Sequence, residues 1–395
     1  MVEIPSPFRI FHRVKGPIVR ELNIVGLVLV GLFILFILNK PKKLLSDWLL
    51  LSVNTFLGLY LFTDLYMHPV QSSFWFVFNF IVTGMQTPLL LVYFLVILQE
   101  KQVWKSRYYL WFILVLLSSV FIIGDHFLGT AYDAAGLQVL FDDPPLSYLF
   151  FYKANQLLGI CGLFWILGQV RAYRSNIRER YSYIEPIQLE WVRIFSWIYL
   201  VLILIIFFSF LLYNVRWFTL DIGWVYLVVN GAMVLALFFL TVMGIRNYVI
   251  ADYLAKEMPA RESEEKPREI GKAHGDRSSI FARLETLFRE EQMYLESKIT
   301  LPQVSARLQV PVHVLSQVIN QETNGPFYDF VNRYRVKHLQ ELLLDPQKGH
   351  LTILALGYES GFNSKASLNR IFKQQVGLTP SQYQKENLYP GVSSS

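Results

Sequence analysis

Apolar positions dominate seven long stretches of the first 245 residues, with few charges inside them, and polar positions become common after that. A bilayer core about 30 Å thick takes roughly 20 apolar residues as a helix. A buried bundle of a soluble protein is the alternative, and the near absence of charge within the stretches disfavours it. The pattern predicts seven transmembrane helices, at about Leu22–Leu38, Trp48–Met67, Phe74–Leu98, Tyr108–Gly124, Tyr148–Val170, Trp191–Tyr213 and Trp224–Gly244.

Charge content divides the chain into two parts. Residues 1–245 hold 17 Lys or Arg and 13 Asp or Glu, so that 30 of 245 residues, 12%, are charged. Residues 246–395 hold 19 and 17, so that 36 of 150, 24%, are charged, which is the ordinary level for a soluble domain. We therefore expect a membrane domain followed by a soluble one. The soluble part has a net charge of only +2. Because this charge is too small to indicate nucleic-acid binding, such a function must be argued from a motif.

The basic residues of the connections between the runs predict an orientation. Lys and Arg are enriched in cytoplasmic loops, and here they gather in the first, third and fifth connections. The N-terminal segment has four basic residues of its own, which favour the opposite orientation. We follow the three later loops, because they agree with one another. The chain is expected to cross the inner, cytoplasmic membrane several times, with its N-terminus outside and residues 246–395 inside. The basic residues of the odd connections are Lys40, Lys42, Lys43, Lys101, Lys105, Arg107, Arg171, Arg174, Arg178 and Arg180.

Two short helices around a tight turn are predicted twice in the soluble part. In the first pair, Thr300 and Gln303 form a capping-box start, and Gln309-Val310-Pro311 breaks the helix before a second one over 312–321. A longer amphipathic helix over about 328–344 separates this pair from the next. In the second pair, Ser364 is a candidate N-cap for a helix that reaches about Val376. Each pair is a helix-turn-helix, which alone is a weak signal.

A further apolar stripe precedes the first pair at helical spacing. Two interpretations stay open at this point, packing against the helices that follow or contact with a second copy of the chain. The stripe consists of Ile280, Leu284, Leu287 and Phe288.

The second pair carries the most specific pattern, over Ile353–Tyr383. Together with the first pair and the helix between them, it resembles the AraC/XylS family, in the type that follows multi-span membrane segments, mostly in Bacteroidetes. The resemblance covers about residues 280–386, roughly a quarter of the chain, and departs from the family at Leu339, Leu368 and Pro311. Its motifs are Leu315-Ser316-Gln317-Val318-Ile319-Asn320, Asn332-Arg333-Tyr334-Arg335, Gly361-Phe362-Asn363-Ser364-Lys365, Asn369-Arg370-Ile371-Phe372-Lys373, Gly377 and Thr379-Pro380-Ser381.

The resemblance implies a transcription regulator that places two reading helices in successive major-groove segments of double-stranded promoter DNA, about one helical turn or roughly 34 Å apart. Gln317 can pair with adenine, and Arg370 is the best candidate for a guanine contact. For each residue the alternative is an ordinary solvated helix face. Because the domain is nearly neutral, tight binding is expected to need a homodimer or neighbouring half-sites. The reading residues implied are His313, Ser316, Gln317, Lys365, Ala366, Ser367, Asn369 and Arg370.

Polar residues inside the apolar runs fall in the half of the membrane that the orientation places outside. Ionisable residues within spans often mark functional sites, so we hypothesise a pocket for a small polar or anionic ligand with Lys153 as its charged anchor. The alternatives are a lysine that reaches the interface or pairs with an outer aspartate, and amides that only bond between helices. The pocket residues would be Lys153, Asn155, Gln156, Asn79 and Asn230.

The predicted fold class is all-α, a seven-helix transmembrane bundle followed by a double helix-turn-helix domain, and the predicted function is a membrane-bound one-component regulator. The alternative is a transporter or channel with a helical regulatory domain, against which no internal repeat is found. No phosphate-binding glycine loop, zinc motif or nucleophile elbow occurs, and Cys161 is the only cysteine, so no catalytic residue, metal or cofactor is predicted. The expected segments are the N-terminus 1–21, the membrane domain 22–245, a charged linker 246–278, the DNA-binding domain 279–388 and a tail 389–395.

Overall fold

The structure is a computed structural model that contains helices and turns, with one isolated antiparallel bridge between Tyr181 and Thr300, over the residues it describes. The helical fold class is therefore confirmed for that part of the chain. Its residues fall into two compact units, one within Met1–Val170 and Leu189–Glu257, the other within Arg171–Gln188 and Met258–Ser395. The described residues are 17–41, 43–67, 73–99, 104–128, 146–185, 187–214, 228, 231–236, 238–244, 246 and 277–388.

The first unit is made of apolar helices. The chain continues from α2 into a π-helical turn at Thr63–Met67, and a 3-10 turn at Ser106–Tyr109 precedes α4. Helix α5 extends past the first unit, because its residues from Arg171 on belong to the second unit. The helices are α1 Pro17–Leu38, α2 Leu45–Phe62, α3 Ser73–Ile97, α4 Leu110–Leu128, α5 Leu146–Arg180 and α6 Glu190–Asn214.

Helix α3 occupies the centre of the first unit. Residues 89–96 are buried on every side of the helix, as expected of a helix that is apolar all round and has neighbours on all faces. Phe94 contacts the rings of Trp191 and Phe195 at the start of α6, with ring centroids 6.2 and 5.6 Å apart. The core of this unit is therefore a layer of large side chains around one central helix.

The buried pair of Lys40 and Asp47 closes the connection between α1 and α2. The Lys40 ammonium lies 2.6 Å from the Asp47 carboxylate, and the backbone N–H of Leu44 donates to the same carboxylate at 2.9 Å. Asp47 thus neutralises a buried cation and accepts a backbone donor at the start of α2. This satisfies groups that would otherwise be costly to bury. The sequence singled out Lys40 only as a basic loop residue.

The structure corrects the count of membrane spans. Among the described residues, four helical segments are long and apolar enough to cross a membrane by length and composition, where seven were predicted. Two further apolar helices, Ser106–Phe121 and Gly231–Gly244, are shorter. The run in α5 is interrupted by Lys153, Asn155 and Gln156, and such polar residues lower its mean hydropathy. The four segments are Arg20–Leu38, Leu45–Leu65, Phe78–Ile97 and Glu190–Phe208.

Among the residues that the structure describes, the second unit contains seven helices together with the segment 171–188. Short 3-10 turns at Met293–Leu295 and Pro346–Lys348 join some of them. The two predicted helix-turn-helix pairs are confirmed as α8 with α9 and as α11 with α12, separated by the long helix α10. The helices are α7 Arg277–Glu290, α8 Leu301–Leu308, α9 Val312–Thr323, α10 Phe327–Leu344, α11 Ile353–Glu359, α12 Lys365–Val376 and α13 Pro380–Leu388.

Two apolar clusters form the core of this unit, one for each helix-turn-helix pair. In the first, the stripe of α7 is buried with α8, α9 and the start of α10. The ring of Phe288, for example, lies 4.8 Å from that of Phe330, centroid to centroid. The stripe is therefore packing within the unit, which was one of the two interpretations left open. The second cluster joins α10, α11 and α12 and includes Ile177 and Ile184 of the 171–188 segment.

Several predictions fall on residues outside the described ones. They concern most of the N-terminus 1–21, most of the linker 246–278, the residue Asn230 and the tail 389–395.

Two glycines with nearly the same backbone angle provide a test of the packing in the second unit. Gly361 (φ +85°) would place an added Cβ 2.5 Å from the Tyr294 carbonyl oxygen, whereas Gly377 (φ +88°) has open space around it. Gly377→Ala is expected to cost about 1 kcal/mol for the positive φ alone. Gly361→Ala is expected to cost at least about 3 kcal/mol, because backbone atoms must also move.

The measurement is hydrogen exchange of residues 277–388 in the full-length protein, which reports the free energy of opening of this unit. Trp fluorescence is unsuitable because all nine Trp precede residue 226. Equal losses in the free energy of opening for Gly361→Ala and Gly377→Ala would show that the close approach at Gly361 does not contribute to stability.

Candidate nucleic-acid interface

The first candidate reading helix is α9. Pro311 precedes it and its carbonyl accepts from the backbone N–H groups of Val314 and Leu315, both at 3.0 Å. A proline is suited to this position because it needs no donor of its own there. The helix therefore begins at Val312. Its inner face is Leu315, Val318 and Ile319, all buried.

The outer face of α9 carries the first group of predicted reading residues. His313 and Gln317 are exposed, and Ser316 is partly buried. The two exposed residues lie one turn apart, on the side opposite the buried face. They are free to reach base edges if α9 enters a major groove.

The second candidate reading helix is α12. Its N-cap is Ser364, as predicted, and the Ser364 hydroxyl accepts from the backbone N–H of Ser367 at 3.1 Å. Lys365 and Ala366 are exposed in the first turn, and Arg370 is exposed one turn later. Because α12 also buries Leu368, Ile371 and Phe372, its polar face is fixed relative to the core.

Two predicted residues of α12 are less accessible than Lys365. Ser367 is 4% exposed and its hydroxyl accepts a hydrogen bond from that of Ser364 at 3.0 Å. Asn369 is partly buried. In this structure Ser367 therefore supports the cap of the helix and does not present its hydroxyl at the surface.

The buried guanidinium of Arg335, on α10, bonds to the loop before α8 and to the segment 171–188. It is 2% exposed and donates to the carbonyl oxygens of Tyr294 at 2.8 Å, Glu296 at 2.9 Å and Ser297 at 3.2 Å. The same group donates to the hydroxyl of Ser182 at 3.2 Å. Burial lowers the pKa of Arg335 to about 10, which leaves it charged at neutral pH. One cation thus fixes the loop before α8 and the segment 171–188 against α10.

The segment 171–188 reaches both reading helices through its two carboxylates. On the first helix, the Glu179 carboxylate accepts from the Ser316 hydroxyl at 2.9 Å and from the Asn320 amide at 2.8 Å. On the second helix, the Glu185 carboxylate lies 2.9 Å from the Arg370 guanidinium. Two of the predicted reading residues are therefore bonded to acidic side chains of the same chain.

Tyr328 extends the arrangement around Arg370. The Arg370 guanidinium donates to the Tyr328 hydroxyl at 2.8 Å, and that hydroxyl lies 3.4 Å from the Glu185 carboxylate. Burial, followed by the nearby Glu185 carboxylate, raises the pKa of Tyr328. Burial works against the charge of Arg370, but its hydrogen bond to Tyr328 and the charge of Glu185 raise its pKa above the ordinary value. The second reading helix thus carries a firmly protonated arginine that is already paired.

The polar residues predicted for an outer pocket lie in the first unit. The Lys153 ammonium donates to the Gln156 side chain and to the Phe207 carbonyl of α6, both at 3.1 Å, and lies 4.5 Å from the centroid of the Phe207 ring. The Asn79 amide donates to the Thr63 hydroxyl at 2.8 Å. The Lys153–Phe207 bond joins α5 to α6, and the Lys153–Gln156 bond lies within α5.

Sequence reasoning missed Glu179, Glu185 and the role of Arg335. The two glutamates are the acidic residues of a connection that was interpreted only through its arginines. Arg335 was noted within a family motif, without its buried position. Only Arg335 carried a signal, since a cation next to Val336 and Leu339 on an apolar helix face indicates burial with partners.

The C-terminal part of the chain matches a known family. Residues 304–386 match the model of a family described as "Helix-turn-helix domain", and this AraC-type match supports a DNA-binding transcription regulator. A solved structure of a protein of unknown function from Listeria innocua is 26% identical, covers 27% of this chain and 94% of its own, and has a TM-score of 0.23. No curated protein matches the chain.

Replacing Arg335 tests its importance for the second unit. Arg335→Lys is expected to destabilise residues 277–388 by about 3 kcal/mol, because a lysine cannot reproduce the planar fork and leaves buried carbonyl groups unsatisfied. Arg333→Lys is the matched control, since Arg333 is an exposed neighbour with one long bond of 3.3 Å to the Thr323 carbonyl. The control is expected to change stability by no more than about 0.5 kcal/mol. Hydrogen exchange is the measurement, and indistinguishable variants would contradict the assignment.

Proposed function

We propose that this chain, with its AraC-type helix-turn-helix domain, is a membrane-bound one-component transcription regulator. Residues 279–388 bind double-stranded promoter DNA through α9 and α12. The apolar helices of residues 22–245 anchor the protein in the inner membrane and respond to a signal. No separate kinase or relay protein is needed in this scheme, since sensor and reader share one chain.

The observation that carries the proposal is the pair of candidate reading helices packed within one compact unit. Each helix buries one face, α9 through Leu315 and Ile319 and α12 through Leu368 and Phe372. Their polar faces keep the residue types that read bases, with an amide at Gln317 and a cation at Lys365. A helix-turn-helix corner that only stabilises a fold has no need of such residues at its surface.

The position of residues 171–188 supports the proposed orientation. This segment packs within the same unit as residues 277–388, so that both lie on one side of any membrane the chain crosses. The chain must therefore cross an even number of times between Gln188 and Met258. Helix α6 supplies one crossing, and the apolar helix Gly231–Gly244 is the candidate for the return. With these two crossings, residues 171–188 and 277–388 both lie on the side that the basic connections predict to be cytoplasmic.

The proposed signal is a small polar or anionic ligand, or a change in the bilayer, that acts on the first unit. Lys153 joins α5 to α6 through the Phe207 carbonyl and also bonds to Gln156 of its own helix, so a ligand that competes for the ammonium would loosen the contact between the helices. Such a ligand can shift the equilibrium only through unequal affinity for the two packings of α5 and α6. The full set of ligand candidates remains Lys153, Asn155, Gln156, Asn79 and Asn230.

The charge balance supports paired binding. With a net charge of +2 after residue 245, one domain has little attraction to the phosphates of DNA. Two copies at neighbouring half-sites, held on the same membrane, would raise the effective concentration of the second domain. We therefore propose a homodimer as the DNA-binding form.

Two exposed residues of the predicted reading set, Gln317 and Lys365, provide the test of DNA binding. Genome-wide footprinting with the full-length protein is expected to give a defined set of sites. Gln317→Ala is expected to lower affinity by about tenfold for those sites and to relax the sequence at one position. Lys365→Ala is expected to weaken all sites alike and to reduce the slope of log affinity against log salt by about 1, if it binds phosphate.

Lys337→Ala is the matched control, because Lys337 is exposed on the connecting helix α10 and carries the same charge. If Lys337→Ala weakens the sites as much as Gln317→Ala and Lys365→Ala do, α9 and α12 do not read DNA.

The orientation is tested by labelling single cysteines in cells, on a Cys161→Ser background. Asp133→Cys, in the acidic fourth connection, is expected to react with a membrane-impermeant maleimide. Lys101→Cys, in the basic third connection, is expected to react only after the membrane is permeabilised. The reverse pattern would invert the proposed topology, and labelling of both without permeabilisation would remove the crossing between them.

A further inference from the structure

Residues 171–188 occupy the surface that links the two reading helices. The segment begins in the last ten residues of α5 and ends just before α6. Glu179 bonds to Ser316 and Asn320 on α9, and Glu185 bonds to Arg370 on α12. The contacts join residues that are 137, 141 and 185 positions apart in the sequence. A single segment thus engages both halves of the reading surface.

Apolar and polar contacts seat the segment firmly. Ile177 and Ile184 are 5% and 6% exposed and belong to the apolar cluster of the second helix-turn-helix pair. The backbone N–H of Ser182 donates to the Ile299 carbonyl at 3.2 Å, and its hydroxyl donates to the same carbonyl at 2.7 Å. The segment is therefore a packed element of the unit, with a defined register.

A third polar contact fixes the segment to the connecting helix α10. The Arg178 guanidinium lies 2.8 Å from both carboxylate oxygens of Asp329. Neither side chain belongs to the predicted reading set. This pair therefore holds the segment in place without taking part in base or phosphate contacts.

The chemistry of the two carboxylates is that of a competitor for DNA. Phosphate oxygens and base edges are the groups that Ser, Asn and Arg side chains bind in a DNA complex. Here the oxygens of Glu179 and Glu185 take those donors. Their negative charges would also repel the phosphates of an approaching duplex. The segment and DNA cannot use Ser316 and Arg370 at the same time.

We propose that residues 171–188 are an autoinhibitory segment, which must leave the reading surface before DNA binds. The inference rests on the proposed function, because it assumes that α9 and α12 read DNA. The bonds of Glu185 and Arg178 involve partly exposed side chains, and such pairs are individually weak. The docked state is therefore reversible, as a regulatory contact has to be.

The path of α5 gives the segment a means of control. The helix is continuous from Leu146 to Arg180, and its residues up to Val170 belong to the first unit. A rotation or shift of α5 about its axis would move Glu179 away from Ser316, because side chains at the end of a helix follow its rotation. A signal at Lys153, on the same helix, would thus reach the reading surface without the linker.

The first test removes the two acids. DNA affinity is measured for the full-length protein in lipid nanodiscs, with a duplex selected from a random library by that protein. Glu179→Ala combined with Glu185→Ala is expected to raise the affinity by about tenfold. Glu290→Ala is the matched control for lost negative charge, since Glu290 is exposed at the end of α7. An equal rise in the control would overturn the proposal.

The second test removes a positive charge. Arg178→Ala frees one anchor of the segment, and the proposal expects DNA affinity to rise by about threefold. If the arginines of the segment bind phosphate instead, the same change must lower the affinity. A fall would therefore overturn the proposal in favour of a segment that belongs to the DNA-binding surface.

The third test locks the segment with a disulfide across the bridge between Tyr181 and Thr300. Tyr181→Cys with Thr300→Cys, on a Cys161→Ser background, places two thiols at opposed positions of an antiparallel pair, where the Cα separation suits a disulfide. The oxidised protein is expected to lose DNA binding and to regain it on reduction. Comparison of the two redox states of one protein removes any effect of the substitutions on folding.

The outcomes separate this inference from the proposed function. If oxidised and reduced forms bind the duplex equally, the autoinhibitory segment is disproved while DNA reading stands. If no duplex can be selected and neither form nor any variant binds DNA, both the proposed function and the inference fail.

Discussion

The burial of the Arg335 guanidinium is the constraint on which the second unit depends. A cation removed from water is tolerated only when its donors meet well-placed acceptors. Arg335 meets this condition through the carbonyls of Tyr294, Glu296 and Ser297 and through Ser182. Because the guanidinium is planar and its donors are fixed in direction, the backbone segments that it bonds to have little conformational freedom. The loop before α8 and the segment 171–188 are held by the same group.

This constraint extends to the turn of the second helix-turn-helix pair. Gly361 lies so close to the Tyr294 carbonyl and the Arg335 side chain that a Cβ would meet both within 3.0 Å. The loop before α8, the connecting helix α10 and the turn of the second pair therefore meet at one point. A two-part reader needs such rigidity, since the two helices must reach successive grooves at a fixed spacing. The relative position of the two candidate reading helices thus depends on the buried charge of Arg335 and on the absence of a side chain at Gly361.

The segment 171–188 gives a different meaning to the near-neutral charge of the domain. The pKa of Arg370 is raised above its ordinary value, and its guanidinium is paired with the Glu185 carboxylate. Its positive charge is therefore not available to a duplex while the segment is docked. In the proposed scheme, weak attraction to phosphates and the engagement of Ser316 and Arg370 by the segment together make DNA binding depend on release of the segment. Pairing of two copies and release of the segment are the two ways in which the structure can supply what its charge lacks.

The sequence by itself determined the local structure of the chain. Caps at Thr300 and Ser364 and apolar spacing within each helix act over three or four residues, so they specify α8, α9 and α12 without knowledge of the fold. The resemblance of residues 280–386 to a known family predicted that two of these helices read DNA. The span count was less secure, because polar residues such as Lys153 blur the hydropathy on which it depends. Only the tertiary structure decided that Glu179 meets Ser316 and that Arg335 binds Ser182. These contacts join residues 137 and 153 positions apart, and they arise from how the chain folds back, which no local pattern encodes.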